Sequence, residues 1–298
     1  MRPVAVFAAV ALAALSGCNL AEKAGSDDSV KVLAIGNSFS VSVMAHLPAV
    51  AAQCAVKLDV ASAHIGGCSL ERHWENVLKD GEKDFRPYRF IRNRMGKTTT
   101  DRVNIAEALR MEKWDIVTIQ QVSHYSWRGE SFYPHGDLLV AKIRELAPTA
   151  KIFVQETWSY TPWDSRLKAW GFGPQEMYDR LHRAYGAFAG KHSLPVIPMG
   201  RAVEEWRKRL PVKYAVNSLG GDVVGGGKLE ERDHFRRTGD NKWKIYCDTF
   251  HLSRQGEYFQ AMVWAKTLLG ADLGKIKEHP GFVAHGNGEL MKEIAMEL

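Results

Sequence analysis

The stretch VLAIGNSFS, residues 32–40, decides how the rest of the chain is read. Val32 to Ile35 form a short apolar run of the kind that makes a buried strand, and Gly36 then permits a tight turn that lifts the next side chains to the sheet's carboxyl edge. Ligands bind at that edge in open α/β sheets. Two readings of Ser38 follow. It is either a nucleophile presented by the turn or part of an ordinary helix cap, since Ser and Asn are common N-cap residues.

Upstream, MRPVAVFAAVALAALSGCNL carries one early Arg2, an apolar run and small residues before Cys18, the layout of a secretory signal. The run is too short to span a membrane. Leu15-Ser16-Gly17-Cys18 resembles the bacterial lipobox, which implies a signal at 1–17, acylation of Cys18 and a polar tether over 18–30. Asn19 follows the cysteine in place of the Asp that often signals inner-membrane retention, so the expected location is the outer membrane. The membrane is then a partner only through the lipid anchor.

About 270 residues remain, enough for one large α/β domain. The formal charge of +6 comes from dispersed Lys and Arg without a continuous run, which argues against a nucleic-acid partner. Cys54, Cys68 and Cys247 are left after Cys18, an odd number in a compartment that favours disulfides. A Cys68–Cys247 bridge and buried free thiols both remain open.

Apolar segments at 31–36, 57–64, 115–120, 151–157 and 194–198 read as strands, and each but the second is closely followed by a helical pattern. Such alternation predicts a mostly parallel sheet with helices on both faces. Helices are expected from about 102 to 112 with Thr100 or Asp101 as cap, from 136 to 147 before Pro148, and from Pro174 to about Ala189 before Gly190. Residues 79–98 read as a hairpin or a long loop, and the glycine-rich 211–247 as an insertion over one edge of the sheet. One domain is placed at 31–272, with 273–298 as a tail.

Near the other end, CDTFHLSRQGEYFQAMVWAKTLLG, residues 247–270, places Asp248 and His251 ahead of an amphipathic helix. Three residues apart on a loop, a carboxylate can fix one imidazole nitrogen and leave the other free to take a serine proton. His64, His73, His124 and His135 show no tight metal-ligand spacing, so neither a metal nor another cofactor is called for.

Three motifs in order give the reading specificity: G-x-S-F-S after the first strand, a Gly-rich turn after the second, and D-x-x-H-L-S-x-x-G before the last long helix. Together they resemble the SGNH (GDSL-like) hydrolases, closest to a branch of exported bacterial proteins with GNSFS, IGGCSLE, QQ-x-S-H and D-x-x-H-L-S. The resemblance covers about residues 30–270. It implies a flavodoxin-like fold with a five-stranded parallel sheet of order 2-1-3-4-5. It also implies Ser38 as nucleophile, His251 as general base and Asp248 as its orienting partner.

The backbone N–H of Ser38 and Gly67 are the expected first two oxyanion donors. The third block departs from the family's Gly-x-Asn-Asp. Thr118-Ile119-Gln120-Gln121-Val122-Ser123-His124 has no Asn, so Gln121 is favoured as third donor, with Ser123 at the aligned Asn position and Gln120 as alternatives. Asn37 stands where more familiar members carry Asp and is placed in the substrate site. Trp158 and Trp127, after the fourth and third strands, are expected to offer aromatic faces to a sugar ring. The expected activity is removal of acetyl or similar acyl groups from glycans. A lipid or aryl esterase of the same mechanism and a non-catalytic glycan-binding lipoprotein on the same scaffold are the alternatives.

Overall fold

A computed structural model describes residues 29–209, 224, 235–237, 243–245, 248–284 and 286–298. The signal, Cys18, the tether, Cys247 and nearly all of the expected insertion lie outside the described residues.

The first apolar run forms β1 (Val30–Gly36), followed by β2 (Leu58–His64), β3 (Tyr88–Arg94), β4 (Lys97–Val103), β5 (Ile116–Ile119), β6 (Lys151–Gln155) and β7 (Val196–Ile197). They make one sheet of order β4-β3-β2-β1-β5-β6-β7. Pairing is parallel from β2 across β1, β5 and β6 to β7, while β3 and β4 add antiparallel. The parallel part has the expected order. The expectation of five strands is corrected to a seven-stranded mixed sheet, because residues 88–103 form a hairpin on the edge of β2.

That hairpin also displaces the first expected helix. Thr100 and Asp101 are β4 residues, and the helix runs only from Ile105 to Arg110, with Asn104 and Glu107 forming a reciprocal capping box. The helix after Pro174 continues through Gly190 to His192, where Ser193 closes it in the left-handed conformation. The long helix Arg254–Leu269 is buried around nearly all of its circumference, from Tyr258 and Phe259 to Trp264 and Leu269, and so is not amphipathic. It packs against Leu47–Gln53, Met199–Arg209 and Asn287–Glu297. The segment after 273 is therefore no loose tail. Its last helix buries Met291, Ile294 and Ala295 in the core.

Two features of the core bear on the site. β1 is buried along its length apart from Lys31, so its carboxyl end is fixed by packing on both faces. Gly36 closes the strand because the side chain of Ser40 and Gln120 occupy the space a Cβ would need. Of the cysteines, Cys54 and Cys68 are free and buried. Among the described residues no helix is long and apolar enough to cross a membrane, and no group of three His, Cys, Asp or Glu could hold a metal ion.

Candidate active site

The turn after β1 places Asn37 as N-cap of a short helix, Ser38–Val41, with Ser38 as its first residue. Ser38 thus sits where helical N–H groups have no partners within the helix, a setting that favours developing negative charge. The cap is Asn37, and the adjacent Ser38 is turned toward His251.

The partners of Ser38 come from the far end of the chain. His251 Nε2 lies 2.9 Å from Ser38 Oγ, and His251 Nδ1 lies 2.7 Å from Asp248 Oδ2. The other carboxylate oxygen of Asp248 accepts from the backbone N–H of His251 at 2.9 Å and of Phe250 at 3.1 Å. Burial alone would raise the Asp248 carboxyl. The bond and charge of His251 and the two backbone donors outweigh it and hold the group down at about 2. A carboxylate ionised throughout the working range keeps the Nδ1 proton of His251 in place, leaving Nε2 free to accept from the serine.

The loop after β6 fixes this Asp–His segment from behind. Trp158 Nε1 donates to Phe250 O at 2.8 Å, Thr161 N to Thr249 O at 3.0 Å, and Thr249 Oγ1 to Asp164 Oδ2 at 2.6 Å. Trp158 is fully buried and stacks on Phe39 at 4.1 Å between centroids, so it clamps the base loop and offers no face to substrate. Trp127 is half-buried, its ring against Trp170 and Phe172 with Arg128 over it. The substrate assignment of Trp158 is corrected. The exposed aromatics of these two loops are Tyr125 and Trp163.

Asn37 is also not a substrate residue. Its Oδ1 accepts from Phe39 N at 3.0 Å and Gln120 Nε2 at 2.6 Å, and its Nδ2 donates to Cys68 O at 2.9 Å, which ties the nucleophile turn to the glycine-rich turn. Gln120 passes the chain on. Its Oε1 accepts from Gln155 Nε2 at 2.6 Å, and Gln155 Oε1 accepts from Gln260 Nε2 at 3.0 Å and Trp264 Nε1 at 2.7 Å. Gln155 and Gln260 each donate to Phe39 O, so the carbonyl one residue past the nucleophile is gripped twice. Gln155 and Gln260 were not picked out in the sequence. A Gln within an apolar strand and another inside an apolar helix are the signal that could have found them, because buried amides require partners.

The oxyanion assignments divide. Gly67 adopts φ +62°, a left-handed conformation that a Cβ would strain, and is exposed in the turn after β2. Gln121 is corrected. Its Oε1 accepts from Leu70 N and Val122 N, and its Nε2 donates to Ser131 O at 2.7 Å and to Ser131 Oγ, so no amide hydrogen is left for an oxyanion. Gln120 is committed to the buried network, and the Ser123 hydroxyl to Tyr160 at 2.8 Å. Gln121→Ala is accordingly expected to act on stability, at least about 2 kcal/mol by urea unfolding, because it strands two buried backbone N–H groups. A kcat loss of a hundredfold at unchanged stability would restore the catalytic role.

Val224, the one described residue between 210 and 234, forms an isolated antiparallel bridge with Leu252. The expected insertion thus touches the residue after the catalytic histidine.

A mixed sheet with its parallel strands in the order 2-1-3-4-5, flanked by helices and with Ser, Asp and His meeting at its carboxyl edge, is the arrangement of the SGNH, GDSL-like class. The DUF4886 family, described as a domain of unknown function, matches residues 31–193, and the chain belongs to it. A DUF4886 family protein from Bacteroides uniformis is 25% identical, with a TM-score of 0.72 over 91% of this chain and 94% of that one. A protein from Slackia heliotrinireducens described as an SGNH hydrolase shares the fold at 18% identity and a TM-score of 0.51, over 81% of this chain and 100% of that one. No curated protein sequence matches.

Proposed function

We propose that this protein is a serine esterase that hydrolyses acyl esters, acetyl esters above all, on carbohydrate. The observation that carries the reading is the relay from Asp248 through His251 to Ser38, with contacts of 2.7 and 2.9 Å. In the acylation step Ser38 Oγ attacks the ester carbonyl while its proton passes to His251 Nε2. The backbone N–H groups of Ser38 and Gly67 receive the oxyanion. Collapse of the tetrahedral intermediate breaks the bond to the alcohol, which leaves with the proton held on His251. Water, deprotonated by the same nitrogen, then releases the acid and restores Ser38. No cofactor enters the scheme.

Carbohydrate is favoured by the exposed Tyr125 and Trp163 on the loops after β5 and β6, the same edge that bears Ser38. The test is labelling with a fluorophosphonate followed by a screen for acetate release from acetylated polysaccharides. Probe on any serine other than Ser38 would end the reading.

The same proposal includes export and anchoring through Cys18, with the outer membrane as destination. Wild type should fractionate with membranes and Cys18→Ser should be found in the soluble fraction. A membrane-bound Cys18→Ser protein would contradict the anchor.

A further inference from the structure

The hairpin β3–β4 carries arginines at both of its ends, and the two ends are treated differently. Where it runs beside the amino end of β2, Arg92 donates to Asp59 Oδ1 at 2.8 Å and to Glu112 Oε1 at 2.8 Å, and Arg94 bonds the same two carboxylates. These cations are neutralised in place. At the other end, beside the carboxyl end of β2, Arg89 and Arg102 face each other directly across the two strands. Both are exposed, and neither guanidinium has a carboxylate partner among the described residues. The Arg102 guanidinium donates to Pro87 O at 3.1 Å, and only its backbone N–H meets a carboxylate, that of the adjacent Asp101.

Like charges directly opposite in a sheet destabilise it, so sheet stability does not account for this pair. Its position suggests what does. Arg89 pairs with His64 and His64 with Gly36, two residues before the nucleophile. Paired residues point to the same face, so His64, Arg89 and Arg102 form a row leading away from the nucleophile turn. At about 4.8 Å per strand, the backbones of Arg89 and Arg102 lie about 10 and 14 Å from Gly36. The row passes the exposed Gly66-Gly67 turn. Beyond that turn the exposed Arg72 stands in the first turn of helix Leu70–Val77, where the helix dipole disfavours a cation.

The opposite flank has the same sign. His124, on the loop after β5, is held below its ordinary value first by burial and then by the charges of Arg166 and Arg128. His64 is lowered by burial and by Arg89 and Arg102 in the same way. On both histidines arginine charge acts in addition to burial, from Arg89 and Arg102 on His64 and from Arg166 and Arg128 on His124.

We propose that Arg89 and Arg102 bind fixed negative charge on the substrate, and that the natural substrate is an ester of an anionic glycan bearing carboxylate or sulfate groups near the scissile bond. The proposal rests on the esterase reading and adds to it the charge class of the substrate. Arginine suits the task because its planar fork pairs with carboxylate or sulfate oxygens through two parallel bonds.

The experiment compares three aryl acetates matched in leaving-group acidity, one neutral, one carboxylated and one sulfonated, on the full-length protein. Wild type should favour the anionic esters in kcat/KM by about tenfold at low salt, with the preference shrinking as ionic strength rises toward 1 M. Arg89→Gln/Arg102→Gln should bring the ratio to about one, and Arg89→Glu should reverse it. A preference confined to the carboxylated ester assigns the natural charge to uronate-type groups, and an equal preference for both assigns it to charge alone. Thermal melting provides a second readout, since Arg89→Gln relieves a like-charge pair and should leave Tm unchanged or raised. Turnover of all three esters at equal rates, a ratio unmoved by the double variant, or a clear fall in Tm would overturn the proposal while leaving the esterase reading standing. Failure to turn over any of them, with no labelling of Ser38, would remove both.

Discussion

Ser38→Ala should lower turnover of an activated acetyl ester by about 10⁶ while leaving the unfolding curve in urea unchanged. Removal of a serine nucleophile of this type typically has that effect, because attack by unassisted water must replace the covalent route. The side chain is half-buried, and its hydroxyl meets His251 at 2.9 Å, so trimming it opens no core cavity. The turn itself is held by Asn37, which caps the helix through Phe39 N and is unaffected by the change. The check is paired: steady-state kinetics on the activated ester and equilibrium unfolding on the same preparation. Full activity in the variant would remove the triad.

Asp248→Asn is expected to be the next most severe change, a fall of about 10⁴ in kcat with KM little altered. The amide can still accept the backbone N–H of Phe250 and His251, so the loop keeps its shape. What changes is the tautomer, because an amide NH₂ facing His251 Nδ1 drives the ring proton to Nε2, where it opposes Ser38. The acid side of the stability profile supplies an independent sign. The folded carboxyl is depressed from 3.8 to about 2, so its contribution to stability is present above pH 3.8 and is lost as pH falls through about 2. The Tm difference between wild type and Asp248→Asn should therefore narrow across that interval. A constant difference would mean that the ionised carboxylate does not stabilise the loop.

The parallel strands and the meeting of Ser38, His251 and Asp248 were legible because each has a local signature. Apolar runs ending in glycine mark strand exits, and Asp and His three residues apart mark a loop that can orient an imidazole. The hairpin was legible only in part: its turn at Met95-Gly96 falls in the stretch read as a hairpin or a long loop, but Lys97–Val103 is exposed at every position but the last, so its second strand shows no alternation to read and its Thr100 and Asp101 were read as a helix cap. The mistaken roles of Gln121 and Trp158 share one cause. A sequence shows which groups a side chain carries but not which of its bonds are already taken. Gln121 spends both ends on Leu70, Val122 and Ser131, and Trp158 spends its N–H on Phe250. Residue type placed both near the site, and only geometry separated support from catalysis.

The chain of buried amides from Asn37 through Gln120 and Gln155 to Gln260 has a consequence for when the site can assemble. Its members come from the first strand exit, two later strands and the penultimate helix, while nucleophile and base lie 213 residues apart. A ribosome or translocon that has delivered the first 200 residues has delivered the serine without its base and with Gln155 still lacking Gln260 and Trp264. The contact between Ser38 and His251 cannot form before the chain has been delivered past residue 251, and the amide chain is closed only when helix Arg254–Leu269 docks.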